Sequence, residues 1–372
     1  MEEWNEYDGL CTRLGAPVVP FDFPIHYNRK RTRSMGKVAL YAVLASEWAL
    51  KDAGLLGHEV ITSGLTGIAY GSSSGTPSAV GDFGKMLFNK TTDGINANSY
   101  IKMMPHTTTS NIGIFFGITG RIIPSSTACT SGSISIGYAY ETIKIGKQIV
   151  MLAGGSEELC ATQAAVFDTL YATETDNENP DDCPKPYDLK RKGLVVGEGA
   201  GTLILEEYEH AMERGVNIYA EVVGFGTNSD GSHVTQPNKT TMARAMELSL
   251  SDAGLEPSDI QYINGHGTAT DSGDIAESQA TANVFGNGVP FSALKGYIGH
   301  TLGGAGALEA WMSLHMMKEG WFAPNLNLNT LDERCGDLNY IRNNPLTLDA
   351  QIIMSNNFAF GGVNTSLIFK KL

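Results

Sequence analysis

The chain has 372 residues, of which 42% are hydrophobic and 18% charged, so it is too apolar to be disordered and long enough for one large or two fused domains. A net charge of -14 argues against wholesale nucleic-acid binding, which needs clustered Lys and Arg. Five scattered cysteines without a C-x-x-C pair predict neither a disulfide framework nor a zinc site, and no apolar run is long enough to span a membrane. We therefore expect a cytoplasmic protein without a metal.

The first distinctive segment, NRKRTRSMGK, concentrates positive charge in this acidic chain, at Arg29, Lys30, Arg31, Arg33 and Lys37. One interpretation is the solvated start of a helix. The other is a local docking surface for an acidic partner. The segment alone leaves both open.

Two distant segments of the chain resemble each other. The first, ASEWALKDAGL, ends at Leu55, and the second, AMELSLSDAGLEPSDI, has its Asp-Ala-Gly-Leu ending at Leu255. Each has the pattern of an amphipathic helix stopped by Gly, and each is followed by a β-type run, LTGIAYGS or IQYINGHG. The shared order of helix, Gly stop and strand predicts an internal duplication.

Further β-type runs alternate with helical patterns along the chain. The runs are QIVMLAGGS, GTLILEEYE, IYAEVVGFG and IIMSNNFAFGG, and the helical patterns include GALEAWMSLHMMKEG. This alternation predicts an α/β fold with mainly parallel sheets covered by helices. The polar stretch TETDNENPDDCPKPYDLKRKG is expected to be a surface loop, and GEGAG lacks the G-x-G-x-x-G pattern of a dinucleotide site.

Cys129 directly precedes a predicted helix from about Ser131 to Ile145. A thiol at the positive end of a helix dipole, near free backbone N–H groups, is expected to favour its thiolate form. That placement suits a nucleophile. A buried cysteine that merely fills space among small residues is the alternative.

Three later segments carry further candidate groups. His266 follows a strand between two glycines, Lys295 and His300 precede a glycine cluster that opens a helix, and Gly361 with Gly362 permits a tight turn with exposed N–H groups. The alternatives are a turn histidine, a surface lysine and a plain turn. No H-E-x-x-H spacing supports a metal site at His266.

Four motifs contain these candidate groups: TACTSGS, HGTATDSGDIAES, KGYIGHTLGGAG and FAFGGVN. Taken together, they resemble the β-ketoacyl-acyl carrier protein synthases, and the resemblance extends from about Met35 to Leu372. TACTSGS is similar to the family's nucleophile segment, and HGTATDSGDIAES to H-G-T-x-T-x-x-x-D-x-x-E. KGYIGHTLGGAG is similar to K-x-x-x-G-H-x-x-G-A-A-G, and FAFGGVN to F-G-F-G-G-T-N. A Cys-His-His set, instead of Cys-His-Asn or two cysteines, is similar to the chain-elongating types, and PSSTACTSGSISIGYAYETI also resembles synthases of aryl-polyene clusters.

The resemblance implies the thiolase fold, an α/β fold with two pseudo-symmetric halves in a five-layered αβαβα sandwich. It places the nucleophile in an N-terminal half, residues 1–210, and the histidines and lysine in a C-terminal half, residues 211–372. It implies that Cys129 is the nucleophile, that His266 and His300 are the two catalytic histidines, and that Lys295 and Glu277 are a supporting charged pair. The hydroxyls of Thr268 and Thr270 would bind the pantetheine arm. Phe360 would be the gate, and its backbone N–H would form the oxyanion hole together with that of Cys129.

The implied reaction is a decarboxylative condensation of a Cys129-bound acyl group with malonyl-acyl carrier protein, without a cofactor. The implied partner is the acidic acyl carrier protein, which would dock at Lys30 and Arg33. A homodimer, or a heterodimer with a related ketosynthase-like subunit, is expected, with the Cys-bearing half at the interface. Rival hypotheses are a non-catalytic chain-length-factor-like subunit and a thiolase acting on coenzyme A esters.

The sequence departs from the family pattern in three places. The usual first strand, V-V-V-T-G-x-G, and about thirty further residues are missing before the point that corresponds to Trp4, which puts the edge of the N-terminal sheet in doubt. Ala359 stands where Gly is usual, and Gly304 where Ala is usual. Both exchanges are between small residues, so the implied roles stand.

Overall fold

The computed structural model describes residues 1–372 and contains two α/β halves, each built on one main sheet. The first half contains β1 (Gly15–Ala16), α1 (Arg29–Thr32), α2 (Lys37–Asp52), β2 (Thr66–Gly71), α3 (Pro77–Asn89), α4 (Ala97–Met103), α5 (Thr107–Phe116), β3 (Ile122–Ser125), α6 (Ser131–Lys144), β4 (Val150–Glu157), α7 (Ala161–Asp168), β5 (Val196–Gly197), β6 (Gly199–Glu206) and α8 (Tyr208–Arg214). Since α8 spans the expected boundary between 210 and 211, the division at that point stays a prediction.

The second half repeats the alternation of strands and helices. It contains β7 (Glu221–Ser229), α9 (Lys239–Ala253), β8 (Tyr262–Gly265), α10 (Asp271–Phe285), β9 (Pro290–Ala293), α11 (Lys295–Ile298), α12 (Ala305–Glu319), β10 (Trp321–Phe322), β11 (Asn339–Tyr340), β12 (Leu346–Thr347), β13 (Ile352–Ala359) and β14 (Val363–Lys370). None of the helices is long and apolar enough to cross a membrane.

Four strands of the first sheet have the same topology as four strands of the second. The first has the order β3-β2-β4-β6, in which β2 is parallel to β3 and β4, and β6 is antiparallel to β4. The second has the order β11-β9-β8-β13-β14-β7, in which β8 is parallel to β9 and β13, and β14 is antiparallel to β13. This equivalence confirms the two pseudo-symmetric halves.

Five layers stack through the molecule, as the resemblance implied. Helices α2 and α5 cover the outer face of the first sheet, and α9 and α10 form the outer layer on the second. Helices α6 and α12 pack between the two sheets. Strands β2 and β4 are buried at every position because helices cover both of their faces, which accounts for their nearly continuous apolar and small residues.

The Asp-Ala-Gly-Leu copies occupy equivalent positions. Helices α2 and α9 end just before Gly54 and Gly254, which take left-handed φ angles of 64° and 65°. Glycine adopts that conformation without steric cost, so both helices stop at the same point. Strands β2 and β8 follow them, as the duplication predicted.

The first sheet has two strands fewer than its counterpart, because it has no equivalent of β7 or of β11. In the second sheet β7 pairs with β14, whereas no strand pairs with the outer side of the equivalent strand β6. Strand β6 is therefore an edge strand.

The polar stretch expected to be a surface loop is irregular but partly buried, so that prediction was wrong for residues 183–188. Tyr187 is fully buried, packs on Phe291 and Tyr340, and donates a hydrogen bond from its hydroxyl to Glu277. The polar residues around Tyr187 predicted an exposed loop, but the segment packs against the second half, where Tyr187 has its contacts.

Candidate active site

The Cys129 side chain lies where two secondary structures meet. It belongs to a single 3₁₀ turn, Ala128–Thr130, that leads directly into α6. Ala128 takes a left-handed φ of 50°, a strained conformation for a residue with a Cβ. The Cys129 thiol lies next to His300 of the second half, and the residue is 4% exposed.

His300 is the nearest imidazole to this thiol. Its Nε2 lies 3.0 Å from Sγ of Cys129, and its Nδ1 accepts a hydrogen bond from the backbone N–H of Leu302 at 3.3 Å. A ring nitrogen that accepts a hydrogen bond carries no proton, so this network assigns the proton to Nε2. His300 therefore points an N–H donor at the sulfur.

His266 has the same tautomer for a parallel reason. Its Nδ1 lies 3.0 Å from Nζ of Lys295 and 3.2 Å from Nδ2 of Asn357, and both of these groups are donors. The proton of the ring is thereby assigned to Nε2. The two imidazoles lie edge to face with their centroids 5.1 Å apart, beside the same thiol.

Both histidines are neutral at physiological pH. Burial, with a further contribution from the Lys295 cation, holds the pKa of His266 and of His300 well below 6.5. A neutral imidazole with a fixed Nε2–H can donate a hydrogen bond to a developing oxyanion without first losing a proton.

The thiol does not follow the expectation drawn from the helix dipole. Burial raises the pKa of Cys129 to about 12, although the Lys295 cation and the backbone N–H groups of Phe360 and Cys129 act in the opposite direction. A helix terminus typically contributes about 0.3–1 kcal/mol, which is less than one pKa unit. Desolvation therefore outweighs the dipole, and the resting residue is a thiol.

A cavity opens beside these three groups. Phe167 and Phe360 line it with their rings 5.2 Å apart. Thr268 and Thr270 also line it, and their hydroxyls are hydrogen-bonded to each other at 2.9 Å. The cavity thus has apolar walls beside the thiol and a hydroxyl pair.

Comparison with known proteins agrees with this geometry. Family models for the beta-ketoacyl synthase N-terminal and C-terminal domains match residues 13–211 and 219–329. The 3-oxoacyl-[acyl-carrier-protein] synthase 1 of Escherichia coli K12 is 37% identical over 350 residues, which cover 93% of this chain and 85% of that protein. The chain belongs to the beta-ketoacyl synthase family.

Solved structures of other family members show the same architecture. A beta-ketoacyl synthase from Burkholderia phymatum STM815 matches with a TM-score of 0.99 and 57% identity, covering 100% of this chain and 91% of that one. A type II PKS acyl-carrier protein in complex with its ketosynthase matches with a TM-score of 0.85 and 29% identity, covering 93% of this chain and 91% of that chain.

The charged pair expected from the ketosynthase motif needs correction. Lys295 forms its ion pair with Glu309 on α12, not with Glu277, and both partners are almost fully buried. Glu277 instead accepts hydrogen bonds from the backbone N–H groups of His266 and Gly267 and from the hydroxyl of Tyr187. Burial raises the pKa of Glu277 to about 7. It holds the turn that carries His266.

The other expected ketosynthase residues are placed as follows. The backbone N–H groups of Phe360 and Cys129 act to lower the pKa of the Cys129 thiol, and their role as an oxyanion hole stays a prediction. Lys30 and Arg33 are exposed and form no ion pair, whereas Lys37 pairs with Glu198 and Arg31 stacks on Phe115. The catalytic, pantetheine-binding and docking roles stay predictions.

The same three side chains could hold a metal by distance alone, because the ligand-type atoms of Cys129, His266 and His300 lie within 4.8 Å of one another. The hydrogen bonds to both Nδ1 atoms oppose this, since they keep a proton on each Nε2, and Nε2 of His300 is the nitrogen next to the sulfur. The donor set fits hydrogen bonding to an anion better than ligation of a cation.

Sequence reasoning missed two buried residues of this site, Glu309 and Asn357. Glu309 is a lone acid in the apolar helix GALEAWMSL, and Asn357 belongs to an Asn pair inside the apolar strand IIMSNNFAF. A polar residue within a buried apolar run signals a required partner. That signal was present, but it did not identify the partner.

Proposed function

We propose that this protein catalyses the decarboxylative condensation of an acyl group held on Cys129 with a malonyl group on an acyl carrier protein. The observation that carries the proposal is the convergence of three groups: the Cys129 thiol and the Nε2–H groups of two neutral histidines meet at one cavity. A nucleophile and two fixed donors are the minimum set that this chemistry needs.

The first step is a thiol–thioester exchange. The carrier-bound thioester enters with its carbonyl oxygen at the N–H groups of Cys129 and Phe360, and Sγ of Cys129 attacks the carbonyl carbon. The new carbon–sulfur bond forms, the bond to the carrier's sulfur breaks, and the thiol proton ends on the departing carrier thiol. The acyl chain is then stored covalently beside Phe167 and Phe360.

The second step uses both histidines. The malonyl carboxylate leaves as carbon dioxide, and its electron pair becomes an enolate whose oxygen accepts hydrogen bonds from His266 and His300. The enolate carbon attacks the acyl carbonyl, the bond to Sγ breaks, and the thiolate takes up one proton. The product is a β-ketoacyl chain two carbons longer on the carrier. No redox step occurs, so we propose that neither a metal nor an organic cofactor is needed.

Two rival functions receive less support. A chain-length-factor-like subunit that lacks catalysis would have no need for a nucleophile within 3.0 Å of a fixed imidazole. A thiolase uses a second cysteine, but no cysteine lies in the C-terminal turn that carries Phe360.

The acyl carrier protein is the proposed donor and acceptor, with Lys30 and Arg33 as the docking cations. The acyl chain belongs to the fatty or the polyene and polyketide class. Competition between carriers loaded with saturated and polyunsaturated chains of equal length separates these classes, and a preference for the polyunsaturated chain would support the aryl-polyene resemblance.

A second copy of the chain is the proposed dimer partner. Strand β3 is one of the two edge strands of the first sheet, with Ile122 43% exposed, and Ile114 on the neighbouring α5 is 76% exposed. An unpaired edge beside exposed apolar side chains is typical of a surface that pairs with another strand. Native mass spectrometry of the chain expressed alone should show a dimer that Ile114→Glu with Ile122→Glu dissociates. A wild-type monomer would instead point to a related subunit.

Intact-mass analysis tests the enzymatic proposal directly. Incubation with acyl-carrier protein should add one acyl group, and later addition of malonyl-carrier protein should remove it and yield the β-ketoacyl carrier. Cys129→Ala should abolish the adduct, whereas Cys335→Ala should not. If no adduct forms, or if it survives Cys129→Ala, the proposed function is wrong.

A further inference from the structure

We propose that Asn357 is a positioning residue that holds the proton of His266 on Nε2, the ring nitrogen that Lys295 and Asn357 do not contact. This inference deepens the proposed function and rests on it. It starts from the hydrogen bonds of Asn357 and Glu309, two residues that lie outside the four motifs. Nδ2 of Asn357 lies 3.2 Å from Nδ1 of His266 and 2.6 Å from Oε2 of Glu309.

The orientation of the Asn357 amide follows from its neighbours. Its two N–H groups face a carboxylate and a ring nitrogen, both of which are acceptors. The opposite orientation would place Oδ1 against the Glu309 carboxylate, so the network assigns the donor to this side. Asn357 and Lys295 therefore donate to the same Nδ1 and are both held by Glu309.

The other end of this amide shows that the arrangement is costly. Oδ1 of Asn357 is buried without a hydrogen-bond partner, and a Cβ at Gly306 would lie 2.7 Å from it. A buried acceptor without a partner costs free energy, so packing alone would favour an apolar side chain here. The cost is explained if the amide's two donors are needed at His266 and Glu309.

The backbone of Asn357 connects this donor to the nucleophile. Its carbonyl accepts a hydrogen bond from the Thr365 hydroxyl at 3.0 Å. The Thr365 hydroxyl in turn lies 2.8 Å from the hydroxyl of Ser133 on α6. Helix α6 begins just after Cys129. Asn357 thus ties the orientation of His266 to the helix that positions the thiol.

An amide adds a property that Lys295 cannot supply. It does not titrate, so it donates to Nδ1 at every pH. Lys295 and His300 face His266 and can change charge, Glu309 contacts Lys295 and Asn357, and Glu277 holds the backbone of His266. A hydrogen bond to the neutral imidazole disfavours protonation, so loss of Asn357 should raise the pKa of His266.

The test compares Asn357→Leu with Asn356→Leu. The two asparagines are adjacent on β13, both are fully buried, and their side chains point to opposite faces of the sheet, Asn356 toward Met246. Asn357→Leu should slow decarboxylation of malonyl-carrier protein about tenfold or more, leave acyl transfer to Cys129 near wild type, and move the acid limb of decarboxylation to higher pH. Asn356→Leu should do none of these.

A second readout needs no substrate. Nitrogen-15 spectra of histidine-labelled protein, assigned with His266→Ala, should show His266 with a proton on Nε2 alone in the wild type and a mixture of tautomers in Asn357→Leu. If Asn357→Leu does not fold, Asn357→Ala against Asn356→Ala makes the same comparison.

Unchanged His266 spectra and an unchanged acid limb in the Asn357 variants would overturn the inference. An equal loss in the Asn356 variants would also overturn it, because the effect would then come from the strand's packing. A wild-type protein that forms no acyl adduct would refute the proposed function instead, while the spectra of the resting protein would still decide the role of Asn357.

Discussion

Lys295 and Glu309 form a buried ion pair beside the two histidines, with side-chain exposures of 1% and 0%. Two secondary structures supply the pair, since Lys295 begins α11 and Glu309 belongs to α12. Breaking a buried pair leaves one charge uncompensated in a low-dielectric interior, which costs more than the pair itself contributes.

Glu309→Gln should therefore lower the free energy of unfolding by about 3–5 kcal/mol. Chemical denaturation at fixed protein concentration measures it. In double-mutant cycles with Lys295→Met, Glu309→Gln should couple by roughly 0.5–3 kcal/mol, and Glu277→Gln should couple less. If Lys295 couples more strongly to Glu277 than to Glu309, the result would contradict the Lys295–Glu309 pair and support the Lys295–Glu277 pair that the motif implied.

Alkylation of Cys129 by iodoacetamide should accelerate with pH up to at least pH 9 without reaching a plateau. The thiolate is the reactive form, and burial raises the pKa of this thiol to about 12, so its thiolate fraction grows throughout that range. Peptide mapping after timed labelling measures the rate at this position. A plateau near neutral pH would mean that the helix dipole outweighs burial.

Phe360→Ala should shorten the lifetime of the acyl-Cys129 intermediate, because water then reaches the thioester through the gap beside Phe167. Intact-mass decay in the absence of malonyl-carrier protein follows the loss of the adduct. Phe167→Ala is the matched variant. Because the Phe167 side chain is buried, Phe167→Ala should also lower the free energy of unfolding by about 3 kcal/mol. An unchanged decay in Phe360→Ala would remove its gating role.

Lys30→Glu combined with Arg33→Glu should raise the KM for carrier-bound substrates about tenfold at low salt and leave small thioester mimics little affected. Rising ionic strength should shrink the difference. Lys318→Glu with Lys370→Glu carries the same charge change at other exposed sites and serves as the control. Equal losses with both substrates would show that the segment only supports the fold.

Much of this protein follows from local sequence. Gly54 and Gly254 stop equivalent helices because glycine alone accepts the left-handed turn at no cost, and this marks the duplicated halves. The motifs around Cys129, His266 and His300 each combine one chemical group with neighbouring glycines or small residues, so their identity and order predicted the family and the Cys-His-His set.

The tertiary structure decided how those groups are tuned. Glu277 and Glu309 are both acids on buried helices, and only packing reveals that Glu309 reaches Lys295 while Glu277 accepts backbone N–H groups. Burial reversed the expected effect of the helix on the Cys129 thiol, since desolvation depends on residues distant in sequence. Asn357 and Tyr187 gained their roles in the same way. Sequence determined which reactive groups the chain carries, and long-range packing determined their charge, tautomer and partners.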